Sequence, residues 1–342
     1  MRLFGVVDGF IDRKDRAAWL TGIFDGSFRV LPTLPREHVL AAAIADALNG
    51  ATAGTFPLEF EAKRGHLVRY TTPELSTLRV SVAPIAKPSR PVARGVWNEE
   101  HTIGVEVLKK LEGNDHTAQL DELAELSERI ETFLQRDELR ELAGGVMVDV
   151  DRNPVAESED LMKGKYRALI RATYHRELET EFAELVPPAA DATLSGEHAI
   201  AEAIKDALNS AAGGTFGESF DATRHHLVRF DVPGLQTLRV SVAPLAKPSR
   251  PAARWVWNEQ HTIGVAIQQK ITSSAGNLDQ LDNLALLSQQ IEDYLRYDDL
   301  QYLAGGQLTE IARDPVLSFE ALAEREYRAV LRLSYLRDID TN

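Results

Sequence analysis

The chain has 342 residues, 44% of them hydrophobic and 26% charged, a balance typical of soluble globular proteins and enough length for two or three domains. Its 38 basic and 52 acidic residues leave a net charge of −14, which opposes general binding to nucleic acid phosphates and leaves room only for a local basic patch. With no cysteine, disulfides, thiol nucleophiles and thiolate metal sites are excluded.

Residues 1–35 have no counterpart elsewhere in the chain. Phe4, Val6, Val7, Phe10 and Ile11 are too apolar for a free tail, so this arm is expected to pack on the first domain or on a neighbouring subunit. An acid at Asp8 interrupts the first apolar run before it reaches signal-peptide length, and no later stretch is long enough to span a bilayer, so no membrane partner is expected and the product is read as cytoplasmic.

From Glu37 the sequence repeats. The second copy begins at Glu197 with a constant offset of 160, and about two-thirds of the positions up to Lys110 and Lys270 are identical. One inserted residue before Leu281 changes the offset to 161, which holds through Tyr174 and Tyr335. A period this long implies two tandem duplicated domains, 36–178 and 196–337, and not a solenoid. Residues 179–195, with Pro187-Pro188, read as a semi-rigid spacer, and 338–342 as a short tail.

Within each copy the elements follow one order. A helix is expected at 38–49 and 198–209, where Val39, Leu40, Ala43, Ile44, Ala47 and Leu48 share a face, with Ser195 as N-cap of the second. A first strand at 67–70 turns at Pro73 into alternating Leu78, Val80 and Val82. A third strand carries Ile103, Val105 and Val107 inward, and the short turns imply antiparallel pairing. A second helix at 118–136 places Leu120, Leu123, Ile130, Phe133 and Leu134 on one stripe. Its other face is acidic: 121–141 holds eight acids and three arginines, 279–299 six acids and one arginine, so each is net −5 and reads as a solvated face. After the Asn153-Pro154 and Asp314-Pro315 turns, a last strand alternates Tyr166, Ala168, Ile170, Ala172 and Tyr174. The fold class expected is α+β, each domain an antiparallel sheet packed with two helices.

The most distinctive stretch is the strand–loop–strand written at 77–105 and again at 237–265. Lys87, Arg90 and Arg94 recur as Lys247, Arg250 and Arg254 among Pro84, Pro88 and Pro91, whose fixed φ stiffens the loop and lowers the entropy lost on docking. Trp97 and Trp257 close the loops as candidate interface anchors, and Trp255 stands where the first copy has Gly95. These nine residues, Lys87, Arg90, Arg94, Trp97, Lys247, Arg250, Arg254, Trp255 and Trp257, are the expected docking surface.

Catalytic signatures are missing. His38, His66 and His101 recur as His198, His226 and His261, yet their spacings match no metal-ligand pattern. Nothing fixes the mutual geometry that Asp46, Arg64, Glu99 and His101 would need for acid–base work. Nucleophile elbows, phosphate-binding glycine loops and dinucleotide fingerprints are absent. No enzyme activity, cofactor or metal is expected.

Each copy resembles a small bacteriophage protein of the tail-terminator or tail-completion kind. The resemblance lies in the order of IADALN (44–49) or IKDALN (204–209), LRVSVAP, a charged loop, HTIGV, LDELAELSERIETFL, the Asn-Pro or Asp-Pro turn, and YRALIRATY or YRAVLRLSY. It covers both repeats but neither residues 1–35 nor the spacer. The resemblance implies a virion protein of the tail or neck, assembled in the host cytoplasm. Such a protein forms a ring that caps the tail tube, stops its polymerisation, and joins the head–tail connector, while genomic DNA passes without sequence recognition. Family members are single-domain and hexameric, so a tandem chain departs from the pattern. Three chains would make a pseudo-hexamer, or six would use one domain in the ring and display the other. A tube or baseplate subunit is the alternative, and an enzyme or binding module on a duplicated α+β domain a third.

Overall fold

A computed structural model describes residues 34–66, 74–93, 95–113, 116–152, 156, 158–179, 196–226, 235–253, 256–271, 278–297, 300–313, 315–318, 321–322 and 324–340. The strand expected at 67–70, the Pro73 turn, Asn153-Pro154, Asp314, Ser195 and nearly all of the N-terminal arm and spacer lie outside these residues. The fold is α+β, and the chain divides into two compact units, Met1–Ala83 with Gly104–Tyr174 and Pro84–Ile103 with His175–Asn342. Residues 84–103, although they belong to the first sequence copy, are therefore part of the second unit.

In the first unit, α1 (Arg36–Asn49) buries Leu40, Ala41, Ile44, Ala45 and Leu48, which recur at three- and four-residue steps on one face. At its end the Asn49 side chain donates to the Ala62 carbonyl at 2.9 Å and accepts from the Ala62 N–H at 2.7 Å, clipping the helix to β1 (Ala62–Arg64). β1 pairs parallel with β2 (Arg79–Ala93), Ala62 opposite Val80. The sheet is thus mixed where antiparallel pairing alone is expected. The physical reason is the length of the connection: residues 65–78 are enough for a crossover back to the same end.

β3 (Val96–Lys110) returns beside β2 after Gly95, whose φ of 70° suits glycine. α2 (Thr117–Leu134) buries Leu123, Leu126, Ile130, Phe133 and Leu134. Its Ser127 hydroxyl donates to the Leu123 carbonyl and lies 3.0 Å from the Tyr166 hydroxyl. β4 (Glu141–Leu142) and β5 (Gly145–Asp151) then form a hairpin that the sequence pattern does not announce. Its turn residues Ala143 and Gly144 both have positive φ, 48° and 79°, which is the type I′ geometry that matches strand twist, built on Ala-Gly instead of Asn-Gly. After the short α3 (Ser158–Met162), β6 (Lys165–Glu179) buries Tyr166, Ala168, Ile170, Ala172 and Tyr174 alternately. The strand order is β4–β5–β6–β3–β2.

The second unit repeats these devices at the offset of the sequence. α4 (Gly196–Ser210) is clipped to β7 (Ala222–Arg224) by Asn209, again at 2.9 and 2.7 Å, and β7 runs parallel to β8 (Arg239–Ala246). β9 (Ser249–Ala253) and β10 (Val256–Lys270) follow, then α5 (Leu278–Leu295). β11 (Tyr302–Leu303) turns through Ala304 and Gly305, φ 49° and 80°, into β12 (Gly306–Arg313), and β13 (Glu326–Asp340) closes the order β2–β12–β13–β10–β8–β7. Ser288 meets Tyr327 at 2.8 Å as Ser127 meets Tyr166. Trp97, Ile200, Ile204, Val265, Leu284, Ile291, Leu331 and Tyr335 belong to its core. Among the described residues no helix is long and apolar enough to cross a membrane.

Candidate functional site

Residues 84–93, expected as a loop, are the outer part of a fifteen-residue strand. They lie on the edge of β12, with Ser89 opposite Ile311, Pro88 opposite Ala312 and Lys87 opposite Arg313. Three residues is a short ladder, because Pro84, Pro88 and Pro91 have no N–H to give to it. Side chains do the rest. The Ser89 hydroxyl donates to the Ile311 carbonyl at 3.2 Å, and the Val316 N–H donates to the Ile85 carbonyl at 3.0 Å.

Beneath this edge lies a buried charge cluster. Lys87 Nζ sits 3.0 Å from Glu99 on β3 and 3.2 Å from Glu292 on α5. Arg296, one helical turn beyond Glu292, pairs with it, reaches Glu99 at 2.7 Å and donates to the Ser89 hydroxyl at 3.0 Å. Arg313 at the end of β12 places its Nε 3.0 Å from Glu292, and His101 meets Glu99 at 3.0 Å. The side chains of Lys87, Glu99, His101, Glu292, Arg296 and Arg313 are all fully buried. Asp293, partly exposed, pairs with Arg296 at 2.8 Å and brings the anions to three against the three cations.

Desolvating that many charges is costly, and the attraction among them offsets the cost only when every partner is in place. The cluster therefore adds less to net stability than its contacts suggest. It does set the register, since slipping β2 by one residue would turn Lys87 to the other face and strand Glu99 and Glu292.

Of the nine residues expected on an exposed docking surface, Lys87 and Trp97 are placed differently, both at 0% exposure. Lys87 is drawn inside by two carboxylates, and Trp97 joins the second unit's apolar core with the Arg296 guanidinium 5.6 Å from its ring centroid. Arg90 is on the surface, pairing with Glu310 on β12 at 3.0 Å. Lys247 is also on the surface, 40% exposed, beside Glu259 at 3.2 Å and Glu197 at 3.6 Å. Arg94, Arg254 and Trp255, and the side chains of Arg250 and Trp257, lie outside the described residues. Sequence reasoning missed Glu292, Arg296 and Arg313. A signal was present, because Glu292 and Arg313 recur at the same offset as Glu131 and Arg152, which pair with one another at 3.2 Å.

The histidines form pairs within each unit. The rings of His38 and His66 lie 4.2 Å apart in the first, those of His198 and His226 4.9 Å apart in the second. Arg64 and Arg224 reach His38 and His198 respectively, each at 3.2 Å. The set His66, Glu99 and His101 that a catalytic reading needs is divided between the two units. His261, buried 3.3 Å from Glu259, has its pKa pushed down, first by burial.

The arrangement is a strand edge paired with β12, a charge-matched cluster beneath it and a tryptophan buried in the second unit's core. No protein-family model matches this sequence, and no curated protein is similar enough to it to count as a relative.

Proposed function

We propose that this chain is a virion structural protein of a tailed phage, forming a ring that caps the tail tube, ends its growth and joins it to the head–neck side, with DNA passing through the lumen. The observation that carries the reading is that a hairpin from the first sequence copy completes the sheet edge and the buried cluster of the second unit. A module whose sheet edge takes the hairpin of a sequence-related copy is suited to repeat around an axis. The tail-terminator resemblance of each copy supplies the setting.

In this reading the partners are other copies of the chain, the tail tube protein and a head–tail connector. Three chains give a pseudo-sixfold ring, six give a ring with one module displayed. DNA is a passenger: with 52 acids against 38 basic residues the ring repels phosphates and lets the duplex slide. Electron microscopy and native mass measurement of the purified protein test the proposal. Closed rings that block tube elongation support it. Open fibres favour a tube or baseplate subunit, and monomers or simple dimers favour a cellular binding module.

A further inference from the structure

Near-identical sequence is treated in opposite ways in the two copies. Ile85-Ala86-Lys87-Pro88-Ser89 lies in an unbroken strand against β12, with Lys87 and Ser89 buried. Its counterpart Leu245-Ala246-Lys247-Pro248-Ser249 is exposed throughout, and the strand there is broken between β8 and β9. Leu245, an apolar residue on that edge, is 42% exposed.

The accepting side shows the matching contrast. In β12 and α5, Leu308, Ile311, Arg313 and Glu292 are buried. Their counterparts, Met147 and Val150 in β5, Arg152 just after it and Glu131 in α2, are only half-buried. Among the described residues β5 has no strand along its outer edge beyond the two-residue β4. Past the β4 pairing, which ends at Val146, the hydrophobic Val148 is 52% exposed. A bare edge of this kind is a template for another strand.

We infer that the arm 244–253 of one molecule docks on the β5 edge of a second copy of this chain, reproducing in trans the contact that 84–93 makes on β12. The register carries over residue by residue: Ser249 opposite Val150, Pro248 opposite Asp151, Lys247 opposite Arg152. Each half of the trans cluster is already assembled. Lys247 stands beside Glu259 at 3.2 Å on the hairpin, and Arg152 beside Glu131 at 3.2 Å on the acceptor, as Lys87 and Glu99 on one side and Arg313 and Glu292 on the other. Docking brings Lys247 to Glu131.

The substitutions between copies also balance. Where the second unit has Arg296 the acceptor has Gln135, and where it has Asp293 the acceptor has Thr132, so a cation and an anion are lost together. The trans cluster sets two cations, Lys247 and Arg152, among the anions Glu259 and Glu131, with Glu197 3.6 Å from Lys247 at its margin. Each cation then has a carboxylate within reach when the edge is covered. Each chain then offers one donor hairpin and one acceptor edge, a head-to-tail contact that closes a ring if the rotation permits and otherwise runs on as a filament. The inference deepens the ring reading and rests on its premise of self-assembly.

The absence of native cysteine makes the test direct. Pro248→Cys with Asp151→Cys places thiols on facing strand positions, within the Cα spacing a disulfide spans. Ser249→Cys with Val150→Cys is a second pair one register along, and Pro88→Cys with Ala312→Cys is the intrachain control. On mild oxidation of the full chain the first two pairs should give a ladder of covalent oligomers on a non-reducing gel, and the control only monomer. Mixing Pro248→Cys chains with Asp151→Cys chains should give a dimer and nothing higher, and Lys247→Glu added to the first pair should suppress the ladder. Monomer alone from both trans pairs while the control closes, or closure of 248 on 151 within one chain, overturns the inference. Rings in the microscope without the ladder sink this contact and leave the ring reading standing. A ladder from protein that does not arrest tail tubes keeps the contact and removes the phage role.

Discussion

The hairpin arms 84–93 and 244–253 are a comparison the protein makes with itself. Five consecutive residues differ only by Ile85 against Leu245, yet Lys87 is sealed among carboxylates and Lys247 is 40% exposed. Nothing within those five residues separates them. What differs is the surface across the strand edge: β12, Glu292 and Arg313 for the first, nothing among the described residues for the second. Burial here is a property of the partner, and the same segment is a core strand or an exposed edge according to whether the partner is present.

The largest effect expected from breaking this contrast is at Glu292. Glu292→Ala leaves Lys87, Arg296 and Arg313 short of a buried counter-charge and should cost about 3–5 kcal/mol in chemical unfolding. Glu131→Ala, at the equivalent position, should cost about 1 kcal/mol or less in dilute protein, because Glu131 and its partner Arg152 both retain solvent. Equal losses would show that the two edges are alike. Next comes the lysine pair. Lys87→Met removes a cation shared by two buried glutamates and should destabilise by roughly 3 kcal/mol, whereas Lys247→Met should stay within about 1 kcal/mol and act on assembly instead.

A pH series sharpens the comparison at the second hairpin. His261 faces Glu259, Glu197, Lys247 and Arg337, and burial holds its pKa below the ordinary histidine value. Since the folded pKa is the lower one, the stability that neutral His261 contributes is full above the unfolded value of about 6.5 and is lost as pH falls through the folded value. Thermal unfolding from neutral to mildly acidic pH should show a loss that His261→Gln reduces. An unchanged profile in the variant would assign the dependence elsewhere. The smallest effect is expected at the β-turns: Ala143→Asn and Ala304→Asn suit the positive φ at those positions better than alanine, and each should stabilise by a few tenths of a kcal/mol.

Much of the fold was legible in the sequence because it rests on local periodicity. Helices expected at 38–49 and 118–136 are found at Arg36–Asn49 and Thr117–Leu134, and the alternation of Tyr166 to Tyr174 is a buried strand face. The β4–β5 hairpin was not legible, since Ala143-Gly144 is a weak turn signal and β5 carries Val, Asp, Val, Asp in a stretch that reads as solvent-facing. The parallel pairing of β1 was hidden by the long connection at 65–78. The burial of Lys87 and Trp97 was beyond any local reading, because Lys87 meets Glu292, 205 positions away, and Trp97 joins a core built from the second sequence copy. The repeat did point to the acceptor residues, through Glu131 with Glu292 and Arg152 with Arg313, but only the contact itself gives those pairs a meaning.

Hydrogen exchange followed over protein concentration tests the central claim most directly. Amides of 85–93 should be protected at every concentration. The outward-facing amides of 245–253 and 148–151, those not bonded to β10 or β6, should exchange fast in dilute protein and gain protection together as chains associate, approaching the level of the first arm. If particles form while both segments keep exchanging as they do in the dilute protein, the second hairpin is not the assembly contact and the account fails.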